Sequence, residues 1–100
     1  MSSGAYWLGA LVRSEAGHDT GRIYLVIGYD LNEYTQRLYL VDGKYRKYLE
    51  PKAKNPKQLT FLEQVLDDRG FQDLLEEDLE SGARDREVRR LIKSYKKENA

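Results

Sequence analysis

The chemistry this chain offers is that of cations and aromatic rings. Residues 44–57, KYRKYLEPKAKNPK, hold six basic side chains, Lys44, Arg46, Lys47, Lys52, Lys54 and Lys57, against one acid, Glu50. A local net charge of +5 on so short a segment has the composition of a phosphate-binding surface, because each cation that neutralises a phosphate releases condensed counterions. Tyr39, Tyr45 and Tyr48 interleave with the basic residues. A strand tyrosine ordinarily packs against its cross-strand neighbour. One that faces outward beside Arg46 or Lys47 is a platform for stacking bases. A second constellation precedes it, Gly17-His18-Asp19-Thr20-Gly21-Arg22. Its glycines permit a tight turn and let backbone N–H groups come close to a phosphate. Asp19 suits an Asx turn that bonds the loop's own backbone. Arg22 leaves the loop where the next strand begins. Its side chain can lie across the end of the fold beside Lys44, as a phosphate contact or as an ion-pair partner of Asp19 or Glu15.

Other chemistries lack their residues. The chain has no cysteine and one histidine, His18, so there is no metal-ligand set and no nucleophile with a base. Glu76, Glu77, Asp78 and Glu80 form a cluster, but neighbouring positions on a helix point around it and do not converge, and the spacing is not that of a calcium loop. The expectation is a non-enzymatic protein without a cofactor. Charge is segregated along the chain. Residues 63–80 carry eight acids and one arginine, residues 84–98 carry seven bases and three acids, and the whole balances at 17 against 17. Such a pattern bears on partners rather than on fold. The first residues, MSSGAYWLGALVR, lack the basic start and the long apolar run of a signal peptide. No stretch approaches the ~18 apolar residues of a membrane span. A cytoplasmic protein without membrane contact is the expectation.

The elements that must position these residues read as strands first and helices after. Residues 7–13, 23–29, 37–42 and 45–49 are short runs rich in apolar, β-branched and aromatic residues, bounded by turn formers. Asp42-Gly43 predicts a type I′ hairpin between the third and fourth. Residues 30–36 are a polar connection. LEPKAKNP holds both prolines and predicts an extended, solvated linker, with a fifth short strand near 58–61. Tyr6 and Trp7 are placed to close one end of a small barrel. From Thr60 the period becomes helical, with Glu63 completing a capping box and Phe61, Leu62, Val65 and Leu66 on one face. After Gly70, Phe71, Leu74, Leu75 and Leu79 resume it. Ser81-Gly82 ends that element. Asp85 is the predicted N-cap of a last helix whose stripe is Val88, Leu91, Ile92 and Tyr95. The architecture is mainly β with an α extension: a barrel domain over 1–62, then two short helices over 63–100 packed on it.

LVRSEAGHDTGRIYLVIGYD resembles the KOW motif of ribosomal and transcription-elongation proteins, a strand, a Gly-x-Asp-x-Gly-Lys/Arg loop and a second strand, with Gly17, Asp19, Gly21 and Arg22 in the matching places. LYLVDGKYRKYLEPKAKNPKQL looks like a stretch of small bacterial KOW-domain RNA-binding proteins, themselves similar to an archaeal and eukaryotic large-subunit ribosomal protein. LESGARDREVRRLIKSY is similar to that group's ending. The resemblance implies a small SH3-like β-barrel of KOW type that binds ribosomal or other structured RNA. It implies contacts through Gly17, His18, Gly21, Arg22, Lys44, Arg46, Lys47, Lys52, Lys54 and Lys57; Tyr45 and Tyr48, by their place among the cations, are the candidate base-stacking residues. His18 and Thr20 stand where many such loops carry lysine, which shifts weight to the 44–57 segment. The alternative is a protein-interaction module, in which the barrel or the amphipathic last helix docks on a protein partner.

Overall fold

Ile23-Tyr24-Leu25-Val26-Ile27 is apolar at every position, the signature of a strand covered on both faces. In the computed structural model, which describes residues 7–32, 34–78 and 80–100, this run begins the central strand of the sheet. The strands are β1 (Ala10–Ser14), β2 (Ile23–Leu31), β3 (Gln36–Val41), β4 (Lys52–Lys54) and β5 (Leu59–Gln64). They form one five-stranded sheet in the order β4-β3-β2-β1-β5, with every pairing antiparallel. A 3₁₀ turn, Pro56–Gln58, joins the two edge strands. Helices α1 (Asp68–Glu76) and α2 (Ala83–Glu98) follow.

Each face of the sheet has its own core. On one, Val12, Tyr24, Val26, Leu38, Leu40 and Leu59 are buried together, with Trp7 packed against them. On the other, Leu11, Leu25 and Val41 meet Leu74 of α1 and Val88 and Ile92 of α2. Bulges interrupt the register at Leu11/Val12 in the β1–β5 pair and at Val26/Gly28 in the β2–β3 pair, and bulges bend and twist a sheet. The ladder does not join β4 to β5 among the described residues, so the sheet is open. No helix among the described residues is long and apolar enough to cross a membrane.

Several expectations are corrected. A type I′ turn needs positive φ at both central residues, and at Asp42-Gly43 only Gly43 has it, at 77°. Asp42 Oδ1 instead accepts the N–H groups of Lys44, Tyr45 and Arg46 at 2.9, 2.8 and 2.8 Å. This wraps the chain into a loop where a strand over 45–49 was predicted, and β4 forms at Lys52–Lys54, inside the predicted linker. The segment from Thr60 is not helical but β5, because it completes the outer side of β1, with Val12 opposite Phe61 and Ser14 opposite Leu59. The capping box belongs to the 3₁₀ turn, between Asn55 and Gln58, and β5 runs to Gln64, past residue 62. Gly70 does not interrupt a helix: it sits in the first turn of α1 and donates its N–H to the Asp67 N-cap at 2.7 Å. Asp85 is not the N-cap of α2, which begins after Gly82 in the left-handed conformation. Asp85 accepts the backbone N–H of Tyr48 at 2.7 Å and so ties the helix to the 42–51 loop. Tyr6 and Leu79 lie outside the described residues.

The stripe of α2 is buried as the spacing requires. Val88 and Ile92 are buried, and Leu91 and Tyr95 pack on the same cluster. The contact reaches the backbone at Gly43. A Cβ there would stand 2.8 Å from Arg89 Cγ and closer still to the carbonyl oxygen of Asp85.

Candidate nucleic-acid interface

The glycine loop between β1 and β2 turns its acid inward. Gly17 and Gly21 take φ of 90° and 92°, which a residue with a Cβ adopts only with strain. The turn they allow puts the Asp19 carboxylate in the interior. Its Oδ1 accepts from Ser14 Oγ at 3.0 Å and pairs with Lys54 Nζ at 3.0 Å. Its Oδ2 accepts from the Tyr24 hydroxyl at 2.5 Å and pairs with Lys52 Nζ at 3.1 Å. Burial works against the charge, but the hydrogen bonds from Tyr24, Lys54, Lys52 and Ser14 together hold the carboxyl well below the usual carboxylate range. Burial, reinforced by Asp19, pushes the Tyr24 phenol up to about 12. Asp19 therefore bonds side chains of β1, β2 and β4, not the loop backbone as predicted. Lys54 also donates to the Ala16 carbonyl at 2.5 Å. Three of the loop's amides are taken up locally as well: Thr20, Gly21 and Arg22 N–H donate to Gly17, Ser14 and Asp19 carbonyls.

Two of the six cations of the basic segment are thus structural. Lys54 is 7% exposed, and Lys52 is half-buried against the same carboxylate.

Arg22 crosses to the 42–46 loop, as its position suggested. Its guanidinium carbon lies 4.3 Å from the centroid of the Tyr45 ring, within cation–π range. Its Nε is 4.0 Å from Asp42 Oδ2, so Asp42, rather than Asp19 or Glu15, is its acidic partner. Lys44 Nζ lies 5.0 Å from the same ring centroid. Across from this group runs α2, whose Arg89 donates to the carbonyl of Gly43. A cleft of about 560 Å³ opens between the two walls, lined by Arg22, Ile23, Asp42, Lys44, Tyr45, Arg89, Ile92, Lys93 and Lys96. Five cations face one acid there, and that acid already holds three backbone N–H groups on its Oδ1.

In comparisons with known proteins, no family model matches the chain and no curated protein matches it.

Of the residues singled out from sequence, the cleft brings together Arg22, Lys44 and Tyr45. Arg46 and Lys47 are exposed on the same loop without lining it. Tyr48 is turned inward, its ring under Arg84 at 4.8 Å and against the helix-side core, so it is not an open stacking surface. Gly17, His18, Gly21, Lys52, Lys54 and Lys57 do not line the cleft. His18 sits exposed on the glycine loop and Lys57 exposed on the 3₁₀ turn. Arg89, Lys93 and Lys96 were missed. Their spacing of four and three puts them on one helical face, beside the buried Val88 and Ile92, and that is the signal that could have found them. The segregation of charge persists in space. A separate hollow of about 230 Å³ is lined by Asp73, Glu77 and Glu87 with Leu66, Gly70 and Leu74. Among the described residues no three His, Cys, Asp or Glu side chains form a metal-binding group.

Proposed function

We propose that this is an RNA-binding protein of the KOW type, acting in the cytoplasm on ribosomal or other structured RNA by anchoring its phosphates without chemical reaction. The sheet order, the bulges and the 3₁₀ turn between the edge strands support reading the β region as an SH3-like barrel left open between β4 and β5. The observation that carries the functional reading is the cleft, where Arg22 and Lys44 on one side and Arg89, Lys93 and Lys96 on the other surround an exposed tyrosine. Arg46 and Lys47 extend the same cationic face. Lys52 and Lys54 serve it indirectly by holding the glycine loop through Asp19, so that Arg22 emerges at a fixed place. Nothing favours docking of the last helix on a protein, since its apolar stripe is already used inside the fold.

The test is titration of a labelled structured RNA, read by fluorescence anisotropy over a range of salt. Lys93→Ala with Lys96→Ala removes two phosphate contacts. The slope of log K against log salt should then fall by about 1.4–1.8, at roughly 0.7 per contact on single strands and 0.9 on duplex. An unchanged affinity and slope would remove α2 from the interface and with it this reading of the cleft.

A further inference from the structure

We infer that the cleft receives an unpaired nucleotide, its base on the Tyr45 ring and its phosphates on the Lys93 and Lys96 wall, an inference that rests on the RNA-binding reading above. Phosphate contact alone asks only for cations on an open surface. This cleft has more. It is concave, and Ile23 and Ile92 line it among the cations. Tyr45 remains 63% exposed with Arg22 and Lys44 already against its ring. More than half of the residue stays exposed with those cations on the ring, and a planar base that joins or displaces one of them gains stacking, a main source of single-strand affinity. In a duplex the base faces are already stacked on each other, which leaves the ring without a partner. The walls differ in a way that orients the ligand. Asp42 stands on the loop side, whereas the lining residues of α2 include cations and no acid. Phosphates are therefore drawn to α2 and the base to the loop. The platform is also held in place before any ligand arrives. Asp42 Oδ1 fixes the amides on both sides of Tyr45 as well as its own, and Arg89 bonds the carbonyl of Gly43. A loop so fixed loses little freedom on binding.

The test measures the full chain against a labelled short oligouridine, the same strand annealed to its complement, and uridine triphosphate as competitor, at one salt concentration. Tyr45→Ala should weaken oligouridine by roughly ten-fold, the size of one lost base stack, and leave the duplex unchanged. Tyr45→Phe should retain the affinity for oligouridine. Thermal melts of both variants check that the exposed position leaves the fold intact. Equal loss on both RNAs, or no loss on oligouridine, overturns the inference. Oligouridine binding that depends on Lys93 and Lys96 but not on Tyr45 overturns it while leaving the RNA-binding reading standing. No binding of either RNA overturns both. Triphosphate that binds as tightly as the oligomer assigns the cleft to a free nucleotide and overturns the inference as stated.

Discussion

Asp19→Asn is the sharpest perturbation of the loop. The substitution keeps the shape of the side chain and removes its charge. Two ammonium groups, at 3.0 and 3.1 Å, lose their counter-ion, and one of them, Lys54, is only 7% exposed. Breaking a buried pair from one side typically costs ~3–5 kcal/mol, because the remaining charge stays desolvated. The half-buried Lys52 can turn to solvent, so the loss sits at the lower end, about 3 kcal/mol. For a domain of this size that is a large share of a total stability of ~5–15 kcal/mol. Urea unfolding of both proteins, followed by tryptophan fluorescence and circular dichroism, measures it. Lys54→Met combined with Asp19→Asn should recover part of the loss, since the desolvated charge is then gone. The acid limb of stability provides a second reading. Asp19 is held below its unfolded-state value, so its contribution is whole above a pH of about 3.9 and is lost as pH falls through the lower folded-state value. In Asp19→Asn that part of the acid sensitivity should vanish. A loss below ~1 kcal/mol, the range of an exposed pair, would refute the reasoning and place the lysines in solvent.

At alkaline pH the partner of Asp19 should dominate: the stability from Tyr24 is whole below about 10 and is lost as pH rises through about 12. Absorbance titration of Tyr24→Phe against the parent should remove a phenol that ionises at about 12. Gly43→Ala should cost well over ~1 kcal/mol, because positive φ and a collision with α2 add together. Gly21→Ala, with the same sign of φ and nothing within 4 Å of the added Cβ, should cost only about 1 kcal/mol; equal denaturation midpoints for the two would deny the close approach of α2. A chain ending at Ser81 loses Val88 and Ile92 from the helix-side core, burial worth ~1.5–3 kcal/mol for each side chain. It should melt well below the full chain, and an equal melting temperature would mean that α2 packs elsewhere.

The central strands and the last helix were legible because their burial is written into local pattern. Ile23–Ile27 is apolar throughout, and Val88, Leu91, Ile92 and Tyr95 repeat at helical spacing. Of the edge strands, only the start of β5 was legible, as the short strand expected near 58–61. Lys52-Ala53-Lys54 has no strand composition, and its place in the sheet comes with a carboxylate more than thirty residues earlier in the chain, at Asp19. LTFLEQ satisfies a helical period and a strand alternation alike, and pairing with β1 decides between them, a tertiary choice that no local window contains. Asp42 misled for a similar reason, since Asp-Gly is the preferred pair for a two-residue turn, yet one side-chain oxygen that gathers three amides outweighs that preference. For the site, the cations of the loop were visible as composition. The cations of α2 became part of it only once Val88 and Ile92 had fixed which way the helix turns.

The pairing of β1 with β5 sets an order on the making of this protein. Val12 stands opposite Phe61, about 50 positions later in the chain, whereas Leu31 meets Gln36 across a short connection. Closing the longer loop costs more chain entropy, and it has to be closed before the contacts it brings can repay it. The first strand of this sheet to be synthesised is therefore completed by the last one. Until residues 59–64 have been synthesised, one side of β1 exposes unpaired N–H and C=O groups, the kind of edge on which a second nascent chain can add a strand.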